Sequence, residues 1–296
     1  MLQEQANNPN NKVLFPRSGI TKNDVIHYYE KIADHILPYL KHRPLTMQRF
    51  PKGILEEGFF QKHIPSYFPD WIPTVKIRKV GGWVNHVVCN TKETLLYLVG
   101  QDVLTFHIAL SKIDKIDYPD KLIFDLDPPK GNFDLVIKAA KALRDLLEES
   151  LTLKTFIMTT GSRGLHVVIP LSQKENFIEA HDFAKIIANH ISNANPKEFT
   201  TALRKDKRKG RLYIDYLRNS YSQTSVSPFS LRALENAPVA TLLSWDELDD
   251  IALNAQSYTI DTIFNRLEAK RDPWEGFEAH AGSIHNAKKK LEALVL

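Results

Sequence analysis

The chain has 296 residues, 43% of them hydrophobic and 25% charged, with a formal net charge of +4. This is ordinary globular composition, enough for one large domain or two small ones. No apolar run approaches the ~20 residues of a membrane span, the polar, Asn-rich residues 1–11 lack a signal-peptide pattern, and the lone Cys89 excludes an internal disulfide and a cysteine-based zinc site.

A cytosolic protein is expected, and the mild positive charge is compatible with nucleic-acid binding without demanding it. Residues 1–20 read as irregular, punctuated by Pro9, Pro16 and Gly19. Thr21 to Asp24 reads as a helix start, with Thr21 as N-cap and Asp24 in the first turn. Val25, Tyr28, Tyr29, Ile32, Ile36 and Leu40 then recur at helical spacing up to Pro44. Strands are predicted over residues 45–50, 74–80 and 83–89, the last two joined as a hairpin by Gly81-Gly82. Residues 91–110 read as one or two helices containing His107, where a lone histidine is more often structural. A strand over 121–127 and a helix over 133–150 follow. β-rich runs at 155–160 and 165–171 flank Gly161-Ser162-Arg163-Gly164. A helix over 175–193, a strand over 211–217, a capped helix starting at Ser244 with Glu247, and a basic helix from His280 complete the chain. This irregular order predicts an α+β or mixed α/β fold rather than a doubly wound sheet.

The chemistry concentrates in three places. Asp125 and Asp127 end an apolar strand and lie two apart, on one face, before Pro128-Pro129 stops it. Paired carboxylates suit a hard divalent cation; they also suit the capping of a following turn. Asp215 lies inside a second apolar strand, where an isolated carboxylate is costly unless paired or metal-bound. It is a candidate third ligand of a two-metal site, or a partner of Arg211 or Arg218. The Thr159–His166 segment, with Ser162, Arg163 and His166, suits a phosphate cradle as well as a plain hairpin turn. The basic run Arg204–Arg211, including Lys205, Lys207 and Arg208, leads straight into the Asp215 strand; it reads as a solvated loop or a grip on a nucleic-acid backbone. Phe59 and Phe60, beside Lys62, suit base stacking, and strand alternation places one of the two in the core.

In this order, Phe-Asp-Leu-Asp-Pro, Thr-Gly-Ser-Arg-Gly-Leu-His, Ile-Asp-Tyr-Leu-Arg-Asn and Ser-Leu-Arg-Ala resemble the archaeo-eukaryotic primase superfamily. More narrowly, they resemble the polymerase domain of bacterial ATP-dependent DNA ligase D, the repair polymerase of non-homologous end joining. The resemblance runs from residue 12 to Trp274. It implies a single primase-polymerase domain over 1–296, with residues 1–11 flexible and 275–296 a basic C-terminal helix. The implied fold is a primase-like catalytic core with a central mixed or antiparallel sheet flanked by helices.

The resemblance also implies roles. Asp125, Asp127 and Asp215 would bind two Mn2+ or Mg2+ ions and carry catalysis. Ser162, Arg163, His166, Arg218 and Arg232 would hold the nucleotide phosphates, Phe59 or Phe60 would stack on its base, and His107 would lie near the ribose or a metal. Lys12 and Lys22 would bind a downstream 5′-phosphate. The implied substrates are gapped or broken double-stranded DNA and nucleoside triphosphates, ribonucleotides over deoxyribonucleotides. The implied partners are Ku and an ATP-dependent ligase, in the bacterial cytoplasm at the nucleoid and not at a membrane. Thr160, Ser162 and Arg163 depart from the family's Ser, Gly and Lys, and the swaps keep a hydroxyl and a cation. Competing readings are a de novo primase, a non-catalytic DNA-end-bridging module, and a haloacid-dehalogenase-type phosphatase. The last expects Thr or Val where Pro128 stands. The chain reads as either a standalone protein or a domain of a longer one.

Overall fold

A computed structural model describes residues 11–129 and 131–295. The chain forms two compact units. The first contains the described residues up to Ala109, together with Thr224–Ala240 and Tyr258–Ala269. It opens with a short antiparallel pair, β1 (Val13–Phe15) and β2 (Ile20–Thr21). Helix α1 (Lys22–Lys31) starts on the expected capping box: the Thr21 hydroxyl accepts the Asp24 N–H, and the Asp24 carboxylate accepts the Thr21 N–H at 2.8 Å. The helical pattern does not continue unbroken. Ile32 leaves the helical region (φ −83°, ψ 0°) before α2 (Ala33–Leu40). Its side chain stays fully buried, so the bend keeps the apolar faces of both helices turned inward.

Strands β3 (Leu45–Arg49) and β4 (Phe59–Gln61) follow, then the predicted hairpin of β5 (Thr74–Lys79) and β6 (Gly82–Val87). Gly81 takes the positive φ of 78° that the hairpin turn requires. Residues 91–110 depart from the helical expectation. Helix α3 (Lys92–Gly100) ends before Asp102, which has a φ of 63°, and β7 (Val103–Ala109) is a strand. Its burial is almost continuous, so it shows neither the alternation of a half-exposed strand nor a helical stripe. It pairs antiparallel with β3 and with Thr224–Val226, giving a four-stranded sheet with β4 on one edge.

The second unit contains Leu110–Gln223, Thr241–Ser257 and the residues from Lys270. Its six-stranded sheet has β8 (Lys121–Asp127) near the centre, between β10 (Leu165–Pro170) and β12 (Leu212–Asp215). Outward lie β9 (Phe156–Thr159) and Leu242–Leu243 on one side and β11 (Phe199–Thr200) on the other. Only β11 and β12 run parallel, so the sheet is mixed, as expected. Helix α4 (Phe133–Arg144) continues as a π-helical segment to Ser150; it packs on β8 and β10. Helix α5 (Phe177–Ala194) packs on β8, β11 and β12 through an apolar stripe that includes Ala180, Phe183, Ala184 and Ile187. The capping box at Ser244 forms, but it starts only a five-residue 3-10 helix, Trp245–Asp249. The tail helix spans Ile284–Val295.

Candidate active site

The central sheet of the second unit aligns the sequence motifs in one row. On β8, Asp125 lies opposite His166 of β10 on one side and opposite Asp215 of β12 on the other. Cross-strand partners point to the same face, so His166, Asp125 and Asp215 form a lateral line across three strands. Asp127, two residues on, shares that face and lies opposite Tyr213. Asp215, distant in the chain, thus meets Asp125 and Asp127 through strand register.

Basic side chains surround them. His166 Nε2 lies 3.5 Å from Asp125 Oδ1, and Arg218 Nε lies 3.9 Å from Asp125 Oδ2 and 3.7 Å from Asp215 Oδ2. Arg163 Nη2 is 3.7 Å from Asp127 Oδ1, and Arg208 Nη1 is 4.0 Å from Asp127 Oδ2. These separations exceed good hydrogen-bond lengths, so the pairs are loose. Asp215 Oδ1 accepts the Leu217 N–H at 2.8 Å. His166 is buried, and its Nδ1 has no hydrogen-bond partner.

Asp127 and Asp215 hold their protons more tightly than usual. Burial raises the pKa of Asp127, Asp125 and Asp215 raise it further, and Arg163 and Arg208 oppose them. Burial also raises Asp215; the Leu217 N–H and Arg218 pull it down while Asp125 pushes it up. The basic side chains therefore do not fully compensate the site. Among the described residues, no three His, Cys, Asp or Glu side chains close into a ready coordination shell. The donor set, adjacent carboxylate oxygens in mutual repulsion, nevertheless suits a hard divalent cation.

The turn between β9 and β10 is held from within. The Thr160 hydroxyl donates to Gly164 O at 3.1 Å and accepts the Ser162 and Gly164 N–H groups, each at 3.3 Å. Gly161 has a φ of 66°, which few other residues tolerate. Gly164 presses against β8, where a Cβ would lie 1.8 Å from Leu126 O. This close approach brings Arg163 to Asp127.

Of the basic run, only Arg208 reaches the carboxylates; Lys205 and Lys207 stay exposed. Arg211 is tied back to the carbonyls of Pro196, Lys207 and Arg208. Tyr213 was not singled out by the motifs, yet its ring lies 3.8 Å from the Arg208 guanidinium carbon. Its spacing of two from Asp215 placed it on the same face.

The remaining candidates belong to the first unit. Phe59 and Phe60 are both exposed, at 45% and 60%, which corrects the expectation that one is core. Strand β4 is a three-residue edge strand, too short to be covered on either face. Phe60 packs edge-on to His107, centroid to centroid 5.4 Å, and His107 lies on strand β7 rather than on a helix. A groove of about 540 Å³ runs along residues 59–66. Arg232 lies beside the bridge between Leu231 and Val239, its N–H donating to Pro238 O at 2.8 Å. The Lys12 ammonium donates to Pro51 O. Lys22 Nζ donates to Gly100 O and to Asp102 Oδ1, both at 2.7 Å.

The fold is that of a primase-type catalytic domain. The model of the LigD primase-polymerase domain matches residues 21–274, and the chain belongs to that family. It is similar to the bifunctional non-homologous end joining protein LigD of Bacillus subtilis, 34% identical over 287 residues that cover 94% of this chain and 46% of that protein. It is 32% identical to the multifunctional LigD of Mycolicibacterium smegmatis, covering 91% of this chain and 35% of that protein. The chain thus spans less than half the length of these curated relatives. It superposes on the polymerase domain of Mycobacterium tuberculosis ligase D in complex with DNA with a TM-score of 0.85 at 30% identity, covering 93% of this chain and 98% of that one. No described helix is long and apolar enough to cross a membrane.

Proposed function

We propose that this chain is a template-directed nucleotidyltransferase that fills gaps and extends 3′ ends at double-strand breaks in bacterial non-homologous end joining. The observation that carries this reading is the lateral row of Asp215, Asp125 and His166, with Asp127 beside it. In the reaction, the primer 3′-oxygen attacks the α-phosphorus, the bond from phosphorus to the bridging oxygen breaks, and pyrophosphate leaves. When bound by Asp125, Asp127 and Asp215, Mn2+ or Mg2+ supplies Lewis-acid stabilisation and eases loss of the hydroxyl proton. Arg163, Arg218 and Arg232, with Ser162 and His166, hold the triphosphate and stabilise charge on the departing pyrophosphate.

Phe59 or Phe60 stacks on the base, and His107 lies near the ribose or a metal. Lys12 and Lys22 take a downstream 5′-phosphate. Lys205, Lys207 and Arg208 grip the DNA backbone. The whole chain acts as one primase-polymerase domain. Ribonucleotides are its preferred substrates, and Ku and an ATP-dependent ligase its partners, at the nucleoid in the cytoplasm. Names of relatives support this setting, since they describe end-joining proteins.

The test is extension of a gapped duplex with and without the downstream 5′-phosphate, with ribo- and deoxyribonucleotides, and with a primer-free control. Primer-dependent extension stimulated by the phosphate supports the reading. Synthesis without primer points to a de novo primase. Tight binding to phosphorylated ends with no extension under either metal points to an end-bridging module.

A further inference from the structure

The first unit carries more exposed aromatic surface than a nucleotide base needs. Phe59, Phe60, Tyr67 and Trp71 are 45%, 60%, 60% and 54% exposed. Scattered exposed rings need no explanation, but these are linked. Tyr67 packs edge-on to Phe68 at 5.2 Å, Phe68 to Tyr97 at 5.2 Å, and Tyr97 to Trp71 at 5.5 Å. Between Phe59 and Tyr67 sits Arg49, whose guanidinium lies 5.6 Å from the Phe59 ring centroid. Its Nη1 donates to Gln61 Oε1 at 2.7 Å and to the Tyr67 hydroxyl at 2.8 Å. Phe59, Phe60 and Gln61 of this surface also line the groove along residues 59–66.

Arg49 gives the line its charge. Only 7% of it is exposed, and its Nε has no hydrogen-bond partner. Its partners among the described residues are an amide oxygen, a phenol and a ring, none of them anionic. A guanidinium does not lose its proton, and burying one without a counter-charge is costly. Rings on which flat groups can stack, ranged about an uncompensated cation, match the chemistry of an unpaired polynucleotide. Every base offers a π-face, and every linkage carries a negative charge.

We infer that Arg49, Tyr67 and Trp71 extend the Phe59–Phe60 surface into a stacking track for an unpaired nucleic-acid strand. The inference rests on the nucleic-acid reading above. One Arg49 nitrogen ties Gln61 and Tyr67 together at the exposed β4 edge, and its guanidinium carbon lies over the Phe59 ring.

The test measures fluorescence anisotropy of two labelled duplexes, one blunt and one ending in a short oligothymidine overhang. It uses the whole chain and the variants Tyr67→Ala, Trp71→Ala, Tyr67→Phe and Trp71→Phe. Each alanine variant should lose about tenfold more affinity for the overhang duplex than for the blunt one, the size of one lost stacking platform. The phenylalanine variants should recover most of that difference, which a folding defect would not allow. Equal losses on both duplexes, or no loss on the overhang, would overturn the proposal and leave the exposed rings to a protein partner. Gap filling by the unmodified chain is scored alongside. Gap filling with overhang binding unaltered by alanine refutes the track and leaves the polymerase reading intact. Overhang-selective loss without any gap filling supports the track and refutes the polymerase.

Discussion

Replacing Gly164 with alanine isolates the dependence of the site on a single close approach. The turn that carries Ser162 and Arg163 meets β8 where the added methyl would sit 1.8 Å from Leu126 O and 3.0 Å from the same carbonyl carbon. Real Cβ contacts essentially never fall below 3.0 Å, so the strands must part by about 1 Å. The obstacle is backbone, and no side-chain rotation relieves it. Leu126 lies between Asp125 and Asp127, and Leu165 pairs with it in register. The displacement therefore falls on the carboxylates and on Arg163 together. Overpacking of this kind costs about 1–3 kcal/mol in stability, and a misplacement of about 1 Å in reacting groups costs about 100-fold in rate. Gly164→Ala should fold with a lowered Tm and extend a primer about 100-fold more slowly at saturating nucleotide, with DNA affinity retained. Single-turnover extension and thermal unfolding measure the two effects. An alanine variant that extends within threefold of the parent would refute the idea that this contact sets the carboxylate geometry.

Asp127→Asn should abolish extension yet raise Tm at neutral pH by about 2 °C, a modest stabilisation for a chain of this size. The folded pKa of Asp127 lies above its unfolded value, so its charge opposes folding at high pH and the penalty lifts as pH falls through the folded pKa. Melting curves across the acidic range should show the gain shrinking on acidification; a constant gain would contradict the argument. Glu148 is the opposite case. Burial opposes its ionisation, but the Thr155 hydroxyl at 2.7 Å, the Thr155 N–H at 2.9 Å and Lys154 at 3.3 Å prevail, and its pKa is lowered. Its contribution is present above the unfolded pKa of about 4.3 and is lost as pH falls through the folded value. Glu148→Gln should cost about 1 kcal/mol at neutral pH, as read by urea denaturation, and almost nothing in strong acid. Lys22→Ala should lower stability by about 1 kcal/mol, because its side chain is 13% exposed and its ammonium is paired with Asp102. It should also reduce discrimination for phosphorylated gaps, which competition binding measures.

What the sequence made legible was local. The capping box at Thr21 and Asp24, the β5–β6 hairpin and the β8 strand with its two aspartates follow from neighbouring residues, and they formed as expected. Asp215 was recognisable as a costly carboxylate in an apolar strand, but its place beside Asp125 depends on long-range register that no spacing states. Strand β7 carries no strand signature in its sequence because burial on both faces erases its periodicity. The exposure of both Phe59 and Phe60 follows from the edge position of β4, a property of the sheet rather than of the segment. Arg49 gave no sign of its environment. It is one basic residue in a short strand, and only the fold shows that it is buried without an anionic partner among the described residues.

The central claim is that Asp125, Asp127 and Asp215 form a metal-dependent centre for nucleotidyl transfer. Incorporation of a single templated nucleotide into a gapped duplex, with Mn2+ and then with chelator, tests it most directly when the parent is compared with the Asp125→Asn, Asp127→Asn double variant. The account predicts incorporation by the parent with Mn2+ alone, none with chelator, and none by the variant while its affinity for the gapped duplex persists. Incorporation by the variant at the parental rate would contradict it.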